Sequence, residues 1–450
     1  QACAMAAGDP YPEWIRRFVD QQSFELKPWI RCDGTGRYPY IEVSIKGARH
    51  NNEDTSFGDG NLFAVFDGHG GKFASQLLRS KMAENFYASL GQCQSEDELI
   101  QGVPPRVVQA LDEAYCRLQE LMPVEFPSAQ SGSTATVCCV HGTPGVSQRV
   151  IASCLGDSKA LLFDLETGAV PTGPCRVWDA EMGTLQSPGV PSVARAETMC
   201  HNLTGGVIVD ANGEPCGMEK DPYGVGFREL SLLRSRYGFP ASRRPFNVSN
   251  MPGEERWRIL DVEPSRALGH KLKREPPLRH PEIFDWSVAD PSRTALMLSC
   301  DGFYSKDAFH SADSVCSFLA DPAAYLANPR LFENTCLKAL LERLGEAHKL
   351  PDPRHVSMGA LFDGIRNIVF NKLSDETWTS AYDSAYKFLS QFAAERPTPN
   401  IRTHPVMTLL AACYFAVLMV SDDNVSVTLV LLDGVPRFAG ARADLGPLPQ

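Results

Sequence analysis

The sequence predicts an α+β fold built on an antiparallel β-sandwich. Three observations predict it: apolar runs of strand length, blocks of helical periodicity separate from those runs, and short turns between successive strands. The separation of strands from helices favours this fold over a doubly wound sheet, in which the two alternate. The 450 residues, 43% of them apolar and 22% charged, are enough for a substantial buried core.

Strand signals are apolar runs bounded by turn residues. The predicted strands are 62–66, 134–140, 150–155, 160–163, 295–300 and 425–432. Only Gly156, Asp157 and Ser158 and one further residue separate the third strand from the fourth. This short turn predicts a hairpin between them.

Helical periodicity follows the first strand, since Phe73, Leu77, Leu78, Met82 and Phe86 recur at helical spacing. A second helix is predicted over 107–121, and a further helical signal covers 382–392. The longest apolar run, 406–420, is shorter than the roughly 20 residues that a membrane span needs. We therefore expect it to be a buried helix and expect no membrane span.

The chain divides into a central domain with extensions and insertions. We expect an N-terminal extension over 1–40, a catalytic domain over 41–435 and a C-terminal tail over 436–450. Gly, Pro and polar residues predict a loop-rich insertion over about 170–262, and apolar periodicity predicts a helical insertion over about 305–405. Either insertion could offer a surface to a protein partner.

Charge and cysteine content narrow the classes of partner and compartment. A formal net charge of −11, without a dense basic run, argues against a nucleic-acid partner. Fourteen cysteines are too dilute for a disulfide scaffold, and several lie inside apolar runs, including Cys138, Cys139, Cys154, Cys300 and Cys413. Reduced core thiols predict a cytoplasmic or nuclear location.

Acidic residues stand where the predicted strands begin or end: Asp67, Asp157, Asp301 and Asp423. Any one of them alone is more simply explained as a turn residue. Acids at strand ends can, however, converge on one edge of a sandwich. Convergent carboxylates repel one another unless a hard cation binds them, and Mg²⁺ or Mn²⁺ is the natural occupant.

Seven segments, in one order along the chain, resemble the motifs of the metal-dependent protein phosphatase family, the protein phosphatase 2C type. They are RHNNED (49–54), FDGHGG (66–71), SGSTA (131–135), LGDSKA (155–160), SRALG (265–269), SCDG (299–302) and SDDNVSV (421–427). The resemblance spans 49 to 432 and implies a sandwich with helices on both sides, four layers in the order α-β-β-α. It implies hydrolysis of phosphoserine and phosphothreonine in proteins, by a monomer.

The same resemblance implies a metal site of two or three ions. Asp67 would bridge two of them, with the Gly68 carbonyl on one, and Asp301 and Asp423 would complete the pair. Glu53 and Asp54 would hold water molecules at the site, and Asp157 would help to bind a third, weaker ion.

Two further residues take catalytic roles by resemblance: Arg49 would bind the substrate phosphate, and His69 would protonate the leaving oxygen. Two cations can activate water for in-line attack on phosphorus, so this chemistry needs no protein nucleophile. A tyrosine-phosphatase site would need a Cys-x5-Arg segment between a strand and a helix. The sequence has no segment of this kind in that position, which disfavours cysteine-based hydrolysis.

The sequence departs from the family pattern at three points, one of which is that the segment before Ser265 lacks a clear form of the family's flap sequence. His270 stands where the SRALGD motif has Asp, and Asp301 and Asp423 are 122 residues apart, more than is usual in the family. A pseudophosphatase scaffold with weak or no catalysis is therefore the alternative. A hydrolase of small phosphorylated molecules on the same fold is a third hypothesis, since fold alone does not identify the substrate.

Overall fold

The structure is a computed structural model. It describes residues 13–23, 26–91, 104–125, 131–156, 158–168, 175–179, 184–186, 241–248, 251–259, 267–269, 281–288, 290–303, 309, 312–326, 376–395, 397–419, 423–436, 438 and 443–445. Within this part the helices are α1 Glu13–Gln21, α2 Phe73–Leu90, α3 Pro104–Glu125, α4 Ala312–Ala320, α5 Pro322–Leu326, α6 Glu376–Ala394 and α7 Pro405–Leu418.

Two large antiparallel sheets form the centre of the fold. The strands, in chain order, are β1 Trp29–Asp33, β2 Tyr40–Ile45, β3 Thr55–Asp59, β4 Leu62–Phe66, β5 Gly68–His69, β6 Gly132–Ser133, β7 Ala135–Thr143, β8 Ser147–Leu155, β9 Lys159–Asp164, β10 Cys175–Asp179, β11 Thr184–Gln186, β12 Ala241–Val248, β13 Met251–Ile259, β14 Leu268–Gly269, β15 Glu282–Val288, β16 Thr294–Ser299, β17 Val425–Leu431 and β18 Ala443–Leu445. One sheet has the order β18-β1-β2-β17-β16-β9, and the other has the order β11-β10-β15-β8-β7-β4-β3. A two-stranded sheet, β12-β13, and a three-stranded sheet, β14-β6-β5, complete the pairing.

Alternating side chains of β4 show how the layers stack. Phe63 and Val65 lie in one core cluster with the six-stranded sheet, whereas Leu62, Ala64 and Phe66 lie in a second cluster with α2 and α3. Because successive strand residues point to opposite faces, the seven-stranded sheet has the other sheet on one side and helices on the other. This confirms an α+β sandwich.

The outer face of the six-stranded sheet is covered by helices. α7 packs on β2 and β17, and α6 packs on α7. Phe388 of α6 lies 4.8 Å from the Tyr414 ring of α7, and Phe18 of α1 contacts both rings. The order α-β-β-α is thus the predicted one. α1 lies within the predicted N-terminal extension, and β18, within the predicted tail, pairs with β1.

The prediction for the apolar run 406–420 is confirmed, since every residue of α7 is buried in the core. Within the described residues no helix combines the length and the apolar character that crossing a membrane requires. Cys138, Cys139, Cys154, Cys300 and Cys413 are buried thiols, as their apolar neighbours predicted.

The predicted hairpin between β8 and β9 is wrong. β8 pairs with β7 and β15 in one sheet, whereas β9 pairs with β16 in the other. Gly156 has a positive φ of 111°, and a Cβ there would clash with the Thr134 side chain. The chain therefore leaves one layer at this glycine and enters the other, which turn length alone does not predict. Most of the two predicted insertions lies outside the described residues.

Candidate active site

Antiparallel pairing brings the predicted acids together in two pairs. Thr55 of β3 lies opposite Phe66 of β4, so Asp54 and Asp67 flank the same rung of the seven-stranded sheet. β16 and β17 are neighbours in the six-stranded sheet, so Asp301, after β16, lies near Asp423, before β17. A Cβ on Gly302 would lie 3.0 Å from the Asp423 Cβ.

The two pairs meet at one edge of the sandwich. The buried Cys300 thiol lies close enough to Asp54, Asp67 and Asp301 for each carboxylate to raise its pKa, although burial raises it most. Cys300 Sγ accepts a hydrogen bond from Ser426 N at 3.0 Å and donates to the Asn424 carbonyl at 3.3 Å. The Cys300 side chain is therefore close to carboxylates at the strand ends of both sheets.

Asp54 has a strongly perturbed carboxyl group. Its pKa is raised to about 8: burial is the largest cause, the negative charges of Asp423 and Asp301 also raise it, and hydrogen bonds from the side chains of Ser426 and Cys300 lower it. Its residue exposure is 1%, and its Oδ2 atom is buried without a hydrogen-bond partner. A buried carboxylate oxygen of this kind is costly unless a cation or a proton compensates it.

Glu53 lies beside Asp54 and is only partly buried. Burial raises the pKa of Glu53, a hydrogen bond from the Gly71 backbone and the charge of Arg49 lower it, and the charge of Asp423 raises it. Its carbonyl oxygen accepts a hydrogen bond from Ser75 Oγ. A Cβ on Gly68 would overlap this same oxygen, so the close approach of the two segments requires glycine at 68.

Arg49 and Asp423 form an ion pair at the solvent side of the cluster. Arg49 Nη2 lies 2.5 Å from Asp423 Oδ2, and the two side chains are 48% and 27% exposed. The predicted phosphate-binding residue and a predicted metal ligand thus contact each other directly. The sequence motifs do not predict this contact, since Arg49 and Asp423 are 374 residues apart in the chain.

Asn424 ties the segment that contains Arg49 to the start of β17. Its Oδ1 accepts a hydrogen bond from Glu53 N at 2.8 Å, and its Nδ2 donates to the carbonyls of Lys46 at 2.7 Å and Asn51 at 2.9 Å. Sequence reasoning noted Asn424 only as part of a motif. Its place immediately after an acid and before a strand was the one signal that could have marked it.

His69 belongs to the small three-stranded sheet. His69 of β5 pairs with Gly132 of β6, which pairs with Gly269 of β14. Gln119 of α3 holds that outer strand, because its side chain accepts from Gly269 N at 2.7 Å and donates to Gly269 O at 3.0 Å. Three of the motifs therefore meet in one ladder, and Gln119 is a contributor that sequence reasoning missed.

Two residues of the sequence analysis, Asp157 and His270, lie outside the described residues. Their predicted effects on a third ion and on local hydrogen bonding remain predictions.

The acidic cluster offers the kind of ligand atom that a hard divalent cation prefers, namely oxygen. The cluster offers carboxylate oxygens from four motifs, and one of them, Asp54 Oδ2, is buried without a hydrogen-bond partner. Among the described residues, however, no group of three or more His, Cys, Asp or Glu side chains is already arranged to hold a metal ion. Binding of a cation by Asp423 Oδ2 would compete with the ion pair of that oxygen to Arg49.

Comparison with known proteins supports the resemblance over the N-terminal part of the chain. Residues 40–172 match the family model for protein phosphatase 2C. A protein of Arabidopsis thaliana described as probable protein phosphatase 2C 15 is 33% identical over 134 residues, which are 29% of this chain and 27% of that protein. The predicted family resemblance is confirmed, and the matched segment spans about a quarter of that relative.

Solved structures are similar over most of the chain at low identity. A phosphatase from a pathogenic strain of Toxoplasma gondii has a TM-score of 0.45 and 15% identity, with 93% of this chain and 98% of that chain covered. A sex-determining protein of C. elegans has a TM-score of 0.43 and 17% identity, with 87% of this chain and 64% of that chain covered. Both scores are low, and the fold assignment depends on the strand pairings and layers described above.

Proposed function

We propose that this chain, whose residues 40–172 match the protein phosphatase 2C family, is a metal-dependent protein serine/threonine phosphatase. Its substrates are phosphoserine and phosphothreonine in proteins, and its cofactor is Mg²⁺ or Mn²⁺. The observation that supports this most is the meeting of Asp54, Asp301 and Asp423 at one edge of the sandwich, where their charges raise the pKa of Asp54 beyond the effect of burial.

The proposed metal-binding groups come from five separate motifs. They are Asp67, the Gly68 carbonyl, Asp301 and Asp423 for two ions, Glu53 and Asp54 for water molecules at the site, and Asp157 for a third ion. When bound, two cations lower the pKa of a water molecule and neutralise charge on the phosphate. The ladder of β5, β6 and β14 fixes the backbone of His69 and Gly68 beside these groups.

Arg49 and His69 act on the substrate itself in this proposal. The Arg49 guanidinium, 48% exposed on its side chain, can offer two N–H groups to two oxygens of the phosphate. His69, partly buried, would donate a proton to the oxygen of the departing serine or threonine. Both groups lie beside the acidic cluster, where the attacking water would be held.

Hydrolysis of a phosphothreonine peptide, with and without millimolar Mn²⁺, tests the proposal directly. Phosphate release that requires the metal and is lost on chelation would establish the activity. A panel of small phosphorylated molecules at the same concentration distinguishes a protein phosphatase from a hydrolase of small phosphates. Folded, metal-loaded protein that releases no phosphate from either kind of substrate would overturn the proposal.

Mn²⁺ is expected to stabilise the fold more at about pH 8 than at about pH 5. The raised pKa of Asp54, about 8 in the folded chain against about 3.9 in unfolded peptides, means that its protonated form favours folding. Without metal, this contribution is full below the unfolded pKa and is lost as pH rises through the folded pKa. A bound cation compensates the Asp54 charge in place of the proton, so the stabilisation of the fold by Mn²⁺ grows over the same pH interval.

Thermal unfolding with and without Mn²⁺, followed at several pH values, measures this dependence. In Asp54→Asn, which has no titrating group at this position, the Mn²⁺-induced rise in Tm should vary less with pH. An equal rise in Tm across the pH range in the unaltered chain would contradict the role of Asp54.

His69→Ala is expected to slow hydrolysis of a phosphopeptide at least about tenfold more than hydrolysis of an aryl phosphate. The alkoxide of serine or threonine needs a proton to leave, whereas an activated phenolate does not. The ratio of kcat/KM for the two substrates is the measurement. Equal slowing of both substrates would remove His69 from the acid role.

Two observations favour the alternative of a scaffold with the same fold. Within the described residues the acids are not prearranged as a three-ligand group, and Arg49 lies on Asp423. A chain that folds, binds no Mn²⁺ and hydrolyses no phosphopeptide would be such a scaffold.

A further inference from the structure

The side chain of Asn424 makes three hydrogen bonds, all of them to one backbone segment. A carboxamide offers one acceptor oxygen and two N–H donors. The oxygen accepts from Glu53 N, and the amide nitrogen donates to the carbonyls of Lys46 and Asn51. These three contacts span the loop from 46 to 53, which contains Arg49, and the residue is only 3% exposed.

The backbone of the same residue fixes the neighbouring acid. Asn424 N donates to Asp423 Oδ1 at 2.7 Å, while Arg49 binds the other oxygen of that carboxylate. One residue therefore sets both the orientation of Asp423 and the position of the loop that faces it. Asn52 adds a second tie, because its Nδ2 donates to Ser44 Oγ, which in turn hydrogen-bonds to Ser426 Oγ.

We propose that Asn424 is a positioning residue, which holds Arg49 and Glu53 at a fixed distance from Asp423 so that the proposed phosphate-binding and metal-binding groups face one site. This inference rests on the proposed function. Neither a carboxylate nor an aliphatic side chain can replace the carboxamide, since the first has no N–H donor and the second has neither donor nor acceptor.

Gln148→Leu offers a matched control, because Gln148 of β8 hydrogen-bonds to the chain just beyond the opposite end of β17. Gln148 is also a buried carboxamide, 3% exposed, and its Nε2 donates to the carbonyls of Thr143 at 3.3 Å and Leu432 at 2.6 Å. Leu432 follows the far end of β17 from the acidic cluster. Asn424→Leu and Gln148→Leu each remove a buried carboxamide that donates to two backbone carbonyls, but only the first lies at the candidate site.

Two measurements on the full chain test the proposal. Amide hydrogen exchange should become at least about tenfold faster over 46–54 in Asn424→Leu but not in Gln148→Leu, because local opening of that loop then costs less. Calorimetric titration should show Mn²⁺ binding at least about tenfold weaker in Asn424→Leu, with Gln148→Leu within about twofold of the unaltered chain. Urea unfolding measures the loss of stability that both variants share.

Asn424→Asp keeps the proposal testable where the leucine variant does not fold. It retains an acceptor for Glu53 N but loses both donors, and its added negative charge would by itself strengthen Mn²⁺ binding. Weaker binding in this variant therefore indicates lost geometry.

Unchanged exchange over 46–54 in both Asn424 variants would overturn the positioning role, whatever the metal does. Equal loss of Mn²⁺ affinity in the Asn424 and Gln148 variants would also overturn it, because a general loss of stability would then explain both. If exchange accelerates as expected but the unaltered chain binds no Mn²⁺, the loop is positioned as described and the proposed function is what fails.

Discussion

Asp301→Asn is expected to lower kcat/KM for a phosphothreonine peptide at least about 1000-fold, equivalent to about 4 kcal/mol of transition-state stabilisation. Asp301 follows β16 at the edge where the acids from the two sheets meet, and its charge acts on both Asp54 and Cys300. The amide keeps the size of the side chain but not the charge that a divalent cation requires. Asp67→Asn should have an effect of similar size.

Asp433→Asn is the matched control. Asp433 also follows a strand of the same sheet, but at the opposite end of β17, where its Oδ1 accepts from Val435 N at 3.0 Å in a turn. Steady-state kinetics at saturating Mn²⁺, with urea unfolding of each variant, separates catalysis from stability. Turnover in Asp301→Asn equal to that of the control would mean that Asp301 is a turn residue and nothing more.

The elements around the site could be predicted from local pattern. β4 has the bounds that its apolar run predicted, Leu62–Phe66, and α7 is as buried as its composition implied. The strand ends that precede or follow the acids were visible for the same reason, since glycine and aspartate punctuate apolar runs. In antiparallel sheets these ends fall into neighbouring pairs, which explains why the acids meet.

The pairing of β8 and β9 could not be predicted in this way. Both are apolar strands joined by a short turn, and this pattern suits a hairpin as well as a crossing between two layers. Their partners, β15 and β16, are supplied by chain more than 100 residues further on. Likewise, Gln119 binds Gly269 across 150 residues, a contact that depends on packing and leaves no local pattern.

The family match and the geometry support different parts of the candidate site. The matched segment, 40–172, contains Arg49, Asp54 and Asp67 but ends well before Asp301 and Asp423. The predicted roles of Asp301 and Asp423 depended on short motifs, and the 122 residues between the two acids are more than is usual in the family. The pairing of β16 with β17, and of β17 with β2, the strand that leads into the Arg49 segment, is the independent reason to place them with the others.

Arg49→Ala is expected to change two measured quantities in opposite directions. It should lower kcat/KM about 100-fold, or about 2.7 kcal/mol, because two charge-assisted hydrogen bonds to the phosphate are lost. It should also strengthen Mn²⁺ binding, since Asp423 Oδ2 no longer has a guanidinium 2.5 Å away. The pair is partly exposed, which limits this gain to about fivefold.

Arg293→Ala removes a comparable surface arginine, whose Nη2 lies 2.8 Å from Asp164 Oδ2 far from the candidate site, and should alter neither quantity. Calorimetric titration without substrate gives the Mn²⁺ affinity, and kinetics at saturating metal gives kcat/KM. Arg49→Lys restores the charge but not the planar fork, so its kcat/KM should stay low while its Mn²⁺ affinity returns toward that of the unaltered chain. Weaker Mn²⁺ binding in Arg49→Ala would mean that Arg49 and the cation do not compete for Asp423, and that the ion pair instead orients this carboxylate for the metal.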